Sequence, residues 1–184
     1  MTTPRNSAEI KVVNNNTYVV DKEGNDFTVQ FEKGAKEVIN LAKKLNQKFT
    51  AIDISTKALE VAEKNANLNK VEIEFKQLDI LNQNLSEEYD VIISNPPYVD
   101  YNEPVGPETK FEPQNAIFAN NKGLEFYEKI INMLTNQPKL IAFEIGMTQA
   151  NEIIKFAQSK FPAADILVEK DLTGRDRYIF IERK

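Results

Sequence analysis

The sequence predicts an α/β domain built on a mainly parallel sheet that closes in one antiparallel C-terminal hairpin. Three observations carry that prediction. Short runs rich in Val, Ile, Phe and Leu alternate with segments whose apolar residues recur every three to four positions, and such alternation marks parallel strands joined by crossover helices. The last two apolar runs are separated by Lys170–Asp176 alone, too short for a helical crossover, so they are expected to pair antiparallel. The chain has 184 residues, 41% hydrophobic and 28% charged, which suits a single domain, 1–184, with a real core.

The elements follow in order. Before residue 49 the pattern is weak: Val29–Phe31 reads as a strand, Ala35–Leu45 as a helix, and Asn14–Asp26 as an exposed loop or hairpin around Glu23-Gly24-Asn25. The clearer strands are Phe49–Ile54, Val71–Phe75, Tyr89–Ser94, Leu140–Ile145, Ala164–Glu169 and Arg177–Glu182. Ser55 or Thr56 is suited to cap a helix reaching about Asn67, with Leu59, Ala62 and Ala66 on one face. Gly123–Leu134 repeats the helical period through Leu124, Tyr127, Ile130, Ile131 and Leu134, and Gln149–Lys160 through Ile153, Ile154, Phe156 and Ala157.

Composition narrows the chemistry. The 23 basic and 28 acidic residues give a net charge of −5, against a protein that grips nucleic acid mainly through phosphates. Without Cys or His, disulfides, Cys/His zinc sites and histidine-based triads are excluded. No apolar run has the length of a membrane span and no signal-peptide pattern opens the chain, so a cytoplasmic location is expected.

Chemistry concentrates in Tyr89–Tyr98, YDVIISNPPY, where an apolar strand stops at Asn95-Pro96-Pro97-Tyr98. In α/β sheets ligands sit at the carboxyl ends of the strands. The prolines fix their own φ and push the residues before them into extended geometry. The Asn95 amide and the Pro96 carbonyl are thereby expected to face the crevice as a rigid pair of acceptors, with Tyr98 as an aromatic wall. Such a pair holds both hydrogens of a planar NH2 and orients a nitrogen whose lone pair is delocalised. A methyl on a sulfonium cation is the fitting electrophile, and an aromatic face tolerates that cation. Two carboxylates add to the site: Asp53 ends FTAID, where an acid bonds ribose hydroxyls, and Asp79 in QLDI is suited to an adenine amino group. Together with Asn95 they outline a site for S-adenosylmethionine.

These blocks resemble the HemK-type protein-(glutamine-N5) methyltransferases, which methylate the glutamine of the GGQ motif in peptide-chain release factors. The likeness runs from Phe49 to Lys184: AIDIS with KALEVAEKNA, ISNPPYV, FEPQNAIFANNKGLEFYEKII, FEIG at Phe143–Gly146, and KDLTGRDRYI. Thr3-Pro4-Arg5 through Glu9 is similar to the segment preceding that family's cofactor fold. NPPY is shared with nucleic-acid methyltransferases, whereas the FEP and DL.GRDR blocks are particular to the HemK group. The resemblance implies a Rossmann-like S-adenosylmethionine-dependent methyltransferase fold, with S-adenosylmethionine as cofactor and a release factor as partner, and no nucleic acid or membrane. It further implies that Asp53 binds ribose, Asp79 lies near adenine, and Asn95, Pro96, Pro97 and Tyr98 hold the substrate glutamine. Glu108 and Glu112 fit loop or capping carboxylates; Arg175 and Arg177 receive no role.

The chain departs from the family pattern in two places. Counting back from Asp53, the glycine-rich D-x-G-x-G-x-G loop corresponds to Thr28–Gly34, which keeps Gly34 alone as a cofactor-loop glycine. Gln30 and Glu32 bring side chains where Cβ-free residues are expected. Glu32 would set a like charge near the cofactor's carboxylate, worth about 1 kcal/mol in water and about 4 at an effective dielectric of 20. The family's N-terminal helical recognition domain also has no counterpart in these residues. Two alternatives therefore stand beside the enzyme: a HemK-like binding module without cofactor, and, from NPPY alone, a nucleic-acid N-methyltransferase.

Overall fold

The computed structural model describes residues 48–85, 87–106, 113–134 and 138–183, and the backbone of residues 10–13. The readings at Thr3–Glu9, Asn14–Asp26, Val29–Phe31, Thr28–Gly34, Ala35–Leu45, Glu108 and Glu112 lie outside the described residues.

The strands are β1 (Ile10–Val13), β2 (Phe49–Asp53), β3 (Glu74–Gln77), β4 (Val91–Ser94), β5 (Val99–Asp100), β6 (Phe118–Ala119), β7 (Leu140–Glu144), β8 (Asp165–Lys170) and β9 (Asp176–Glu182). The helices are α1 (Thr56–Asn69), α2 (Glu125–Met133) and α3 (Ala150–Lys160), with a 3-10 turn at Gln114–Ala116. Seven strands form one sheet in the order β3-β2-β1-β4-β7-β9-β8. The pairs from β3 to β7 are parallel, and β9 lies antiparallel to both β7 and β8. The expected mainly parallel Rossmann-like sheet with its C-terminal hairpin is thus present.

The central slot belongs to β1, which the local pattern did not mark as a strand. Its four residues, IKVV, pair on both sides, with Val13 level with Ile52 of β2 and with Ser94 of β4. A strand that short is held by two distant partners, and local periodicity is blind to them. β3 starts three residues later than expected. Lys70 ends α1 in the left-handed conformation (φ 57°), donating to the Ala66 and Asn67 carbonyls. The Val71 amide also donates to Ala66 O. The apolar Val71–Ile73 run is therefore spent leaving the helix, and the ladder opens at Thr50↔Glu74.

β4 is buried along its whole length, as a central parallel strand must be. Against the sheet pack Phe126, Tyr127, Ile130 and Ile131 of α2 and Ala150, Ile153 and Ala157 of α3. Tyr127, fully buried, meets Phe143 edge-on with ring centroids 5.3 Å apart and donates its hydroxyl hydrogen to the Glu144 carbonyl at 2.7 Å. No helix among the described residues is long and apolar enough to cross a membrane.

The hairpin turn after β8 is organised by one carboxylate. Asp171 Oδ1 accepts from the Thr173 amide (2.8 Å), the Thr173 hydroxyl (2.6 Å) and the Arg175 amide (3.1 Å), while Gly174 takes φ 83°. The Thr173 hydroxyl first, then the Arg175 amide, hold the Asp171 carboxyl down to about 2 from its usual 3.8. A carboxyl with a depressed native pKa adds stability above its unfolded pKa and loses it as pH falls towards the native value. Asp171→Asn should therefore melt below the wild type at neutral pH. That gap should close between about pH 4 and pH 2 in thermal unfolding followed by circular dichroism; a gap constant with pH would contradict this origin.

Candidate active site

β4 delivers YDVIISNPPY to the carboxyl edge of the sheet. Ser94 is fully buried, Asn95 is half-buried, Pro96 and Pro97 are buried and Tyr98 is half-buried. Burying a loop normally strands amide hydrogens away from water. Two successive prolines carry none, so this loop enters the protein without that cost. Beyond Tyr98 the chain pairs again, β5 lying parallel to β6 with the Val99 amide on the Ile117 carbonyl. This two-stranded sheet was not foreseen.

Asp53 and Asn95 follow directly on Ile52 and Ser94, the residues level with Val13 on either side of β1. Two strand spacings set their backbones about 10 Å apart. Asp53 is buried, and its Oδ1 accepts the Ser55 amide hydrogen at 2.7 Å as α1 begins. Asp79 follows β3 by two residues. Its Oδ1 accepts from the Leu81 amide (3.0 Å) and its Oδ2 from the Asn82 side-chain amide (2.7 Å). Asp79 therefore shapes the turn at the strand end, the local capping role that such an acid takes by itself, while remaining at the same sheet edge as Asp53. Carboxylate oxygens have about four lone-pair sites between them, so its two bonds leave acceptor capacity at Asp79. The acceptor set, two acids at neighbouring strand ends and an amide two strands further across β1, fits a nucleoside cofactor bearing hydroxyl and amino donors.

Tyr98 is held at its far end. Arg177 Nη1 donates to the Tyr98 hydroxyl at 3.1 Å, and Glu144 Oε1 lies 3.4 Å from the same oxygen and 3.7 Å from Arg177 Nη1. Arg177 reaches Asp171 as well, at 3.6 Å, so the hairpin turn, the end of β7 and the NPPY loop share one polar cluster. Burial pushes the Glu144 carboxyl up from its ordinary value, with Arg177 opposing the rise. Burial also raises the Tyr98 phenol, and the Glu144 charge adds to it. Arg177, given no role by its sequence, is thus the cation of this cluster. Strand pairing puts it there, since Glu144 is level with Tyr178 and the Ile145 amide donates to the Arg177 carbonyl.

Gly123 and Gln149 were also missed. After Asn120 the chain winds left-handed, with Asn121 at φ 52°, Lys122 at 56° and Gly123 at 76°. The expected helix over Gly123–Leu134 therefore starts only at Glu125. The turn is fastened to α2 by Glu125, which accepts from the Asn120 amide and side chain, and by Glu128, which accepts from Asn121. A lone glycine before an amphipathic segment was the available signal for that turn; nothing in the residues around Gln149 marked it.

A family model described as methyltransferase small domain matches residues 36–109. The release factor glutamine methyltransferase of Lactococcus lactis subsp. lactis is 37% identical over 144 residues, 74% of this chain and 53% of that protein. That of Flavobacterium psychrophilum is 39% identical over 151 residues, 77% of this chain and 52% of that protein. The chain thus spans about half the length of the curated relatives it matches. Among solved structures, a methyltransferase from Pyrococcus furiosus superposes with a TM-score of 0.59 at 17% identity, covering 96% of this chain and 75% of that one, which establishes the shared fold.

Proposed function

We propose, from the chain's kinship with the release factor glutamine methyltransferases, that it transfers a methyl group to the side-chain amide nitrogen of the GGQ glutamine in a peptide-chain release factor. The observation that carries this reading is NPPY at the buried end of β4, two strand spacings from Asp53 across β1, in a chain 33–39% identical to proteins bearing that name. S-adenosylmethionine, when bound, would supply the electrophilic methyl on its sulfonium, with a neutral thioether as the leaving group that keeps the methyl–sulfur electron pair. Asp53 holds the ribose hydroxyls and Asp79 the adenine amino group. The Asn95 Oδ1 and the Pro96 carbonyl accept the two hydrogens of the glutamine NH2 and aim its nitrogen along the line of attack. Conjugation makes that nitrogen a poor nucleophile, and fixed acceptors favour the geometry in which its lone pair is available. As the N–C bond forms the nitrogen's proton turns acidic. It leaves to water while the other hydrogen stays on the nitrogen, held by Asn95 Oδ1, so no histidine base is needed. The reaction belongs to translation termination and to the cytoplasm.

The test is incubation of the full chain with methyl-labelled S-adenosylmethionine and a purified release factor, followed by mass spectrometry of the GGQ peptide. Label on that glutamine is the expected result. A folded, cofactor-binding protein that leaves the peptide unlabelled would remove the assignment, and absence of cofactor binding at millimolar concentration would favour the binding-module alternative.

A further inference from the structure

Three loops meet on one buried glutamine. Gln149 is 7% exposed, at the start of α3. Its position suits an N-cap, yet its side chain caps nothing on its own helix. The amide turns instead to three other backbones. Nε2 donates to the Tyr98 carbonyl at 2.8 Å and to the Lys122 carbonyl at 3.1 Å, and Oε1 accepts the Gly146 amide hydrogen at 2.9 Å. Both donors and the acceptor are thereby used, and flipping the amide would set its oxygen against two carbonyls.

Two glycines make the convergence possible. A β-carbon on Gly123 would stand 1.9 Å from the Tyr98 carbonyl oxygen. One on Gly146 would press to 3.0 Å from Gln149 Oε1 and 3.4 Å from Tyr98 Cδ2. Tyr98 is consequently pinned twice, at its carbonyl by Gln149 and at its hydroxyl by Arg177 and Glu144. From Tyr98 back to Asn95 the chain passes through two prolines whose φ is fixed. A displacement at the Tyr98 carbonyl is therefore passed on to the acceptor pair instead of being absorbed between them.

We propose that Gln149 is a positioning residue for methyl transfer: by tying the Tyr98 carbonyl to the Lys122 turn and the Gly146 loop, it fixes where Asn95 and Pro96 present their oxygens. The inference rests on the proposed reaction, and it concerns the loop, without direct contact between Gln149 and substrate. A displacement near 1 Å at reacting groups costs about a hundredfold in rate.

The experiment compares wild type with Gln149→Met, which keeps the volume and loses all three hydrogen bonds, and Gln149→Glu, which keeps the acceptor for Gly146 and loses both donors. Both variants should bind S-adenosylmethionine within threefold of wild type by calorimetry while kcat for release-factor methylation falls about a hundredfold. A role limited to holding α3 in place would lower the melting temperature and leave kcat within threefold; that result, or a kcat loss matched by an equal loss of cofactor affinity, overturns the proposal. Backbone hydrogen exchange supplies a readout independent of turnover. Exchange at Val99 should quicken in both variants, and at Gly146 in Gln149→Met alone. If wild type transfers no methyl to the release factor, the assigned reaction fails by itself. Unaltered exchange at Val99 and Gly146 in both variants would then still dismiss the clamp.

Discussion

Asn95→Ala should lower the rate of methyl transfer by about two to three orders of magnitude, the usual consequence of deleting one fixed hydrogen-bonding group aimed at a reacting centre. The fold should tolerate the change. Asn95 is half-buried just past the end of β4, and no hydrogen bond joins its side chain to another described residue, so truncation strands no buried partner. Cofactor affinity should change far less than turnover, because Asp53 and Asp79 stand on other strands. Single-turnover kinetics with saturating S-adenosylmethionine, together with calorimetric titration of the cofactor, separates the two effects. Turnover equal to wild type would end the role given to Asn95. A loss confined to cofactor affinity would move the residue from the substrate side to the donor side of the cleft.

What could be read without coordinates follows from where the information lies. Strands β2, β4, β7, β8 and β9 were legible because each is an apolar run with its own boundaries, and the hairpin because seven residues cannot build a crossover. The NPPY loop was legible for the same local reason: only an abrupt change from a strand to two prolines produces a rigid turn at the sheet rim. β1 escaped because four residues pairing on both sides draw their stability from neighbours tens of positions away. The onset of β3 was misplaced because apolar Val71 and Ile73 serve the exit from α1 and a more polar segment forms the edge strand. The site divides along the same line. Asp53 and Asn95 stand at strand ends and can be found by counting. The glutamine that joins three loops, and the arginine that reaches Tyr98 from the last hairpin, acquire their partners only when β7, β9 and α3 are assembled. A solitary Gln three residues past a glycine carries no pattern of its own.

Gly123→Ala is expected to be the most damaging single-methyl addition in the described chain, and its size can be argued from two separable parts. The first is conformational: at φ 76° an L-residue is disfavoured by about 1–2 kcal/mol. The second is steric. The new β-carbon would lie 1.9 Å from the Tyr98 oxygen and 2.4 Å from Gln149 Nε2, so a backbone segment must move. Losing the buried hydrogen bonds of Gln149 then adds about 1–3 kcal/mol for polar groups left unpaired. A total near 3–4 kcal/mol corresponds to a fall of about 10 °C in melting temperature for a domain of this size. Gly174 provides the control, because at φ 83° it has the same handedness with no atom within 4 Å of the added carbon. Gly174→Ala should therefore show the conformational part alone, about 1–2 kcal/mol. The difference between the two variants in denaturant unfolding measures how tightly the Lys122 turn is pressed against the NPPY loop. Equal losses in both would mean that the turn yields freely, and that close approach at Tyr98 contributes nothing to holding the loop.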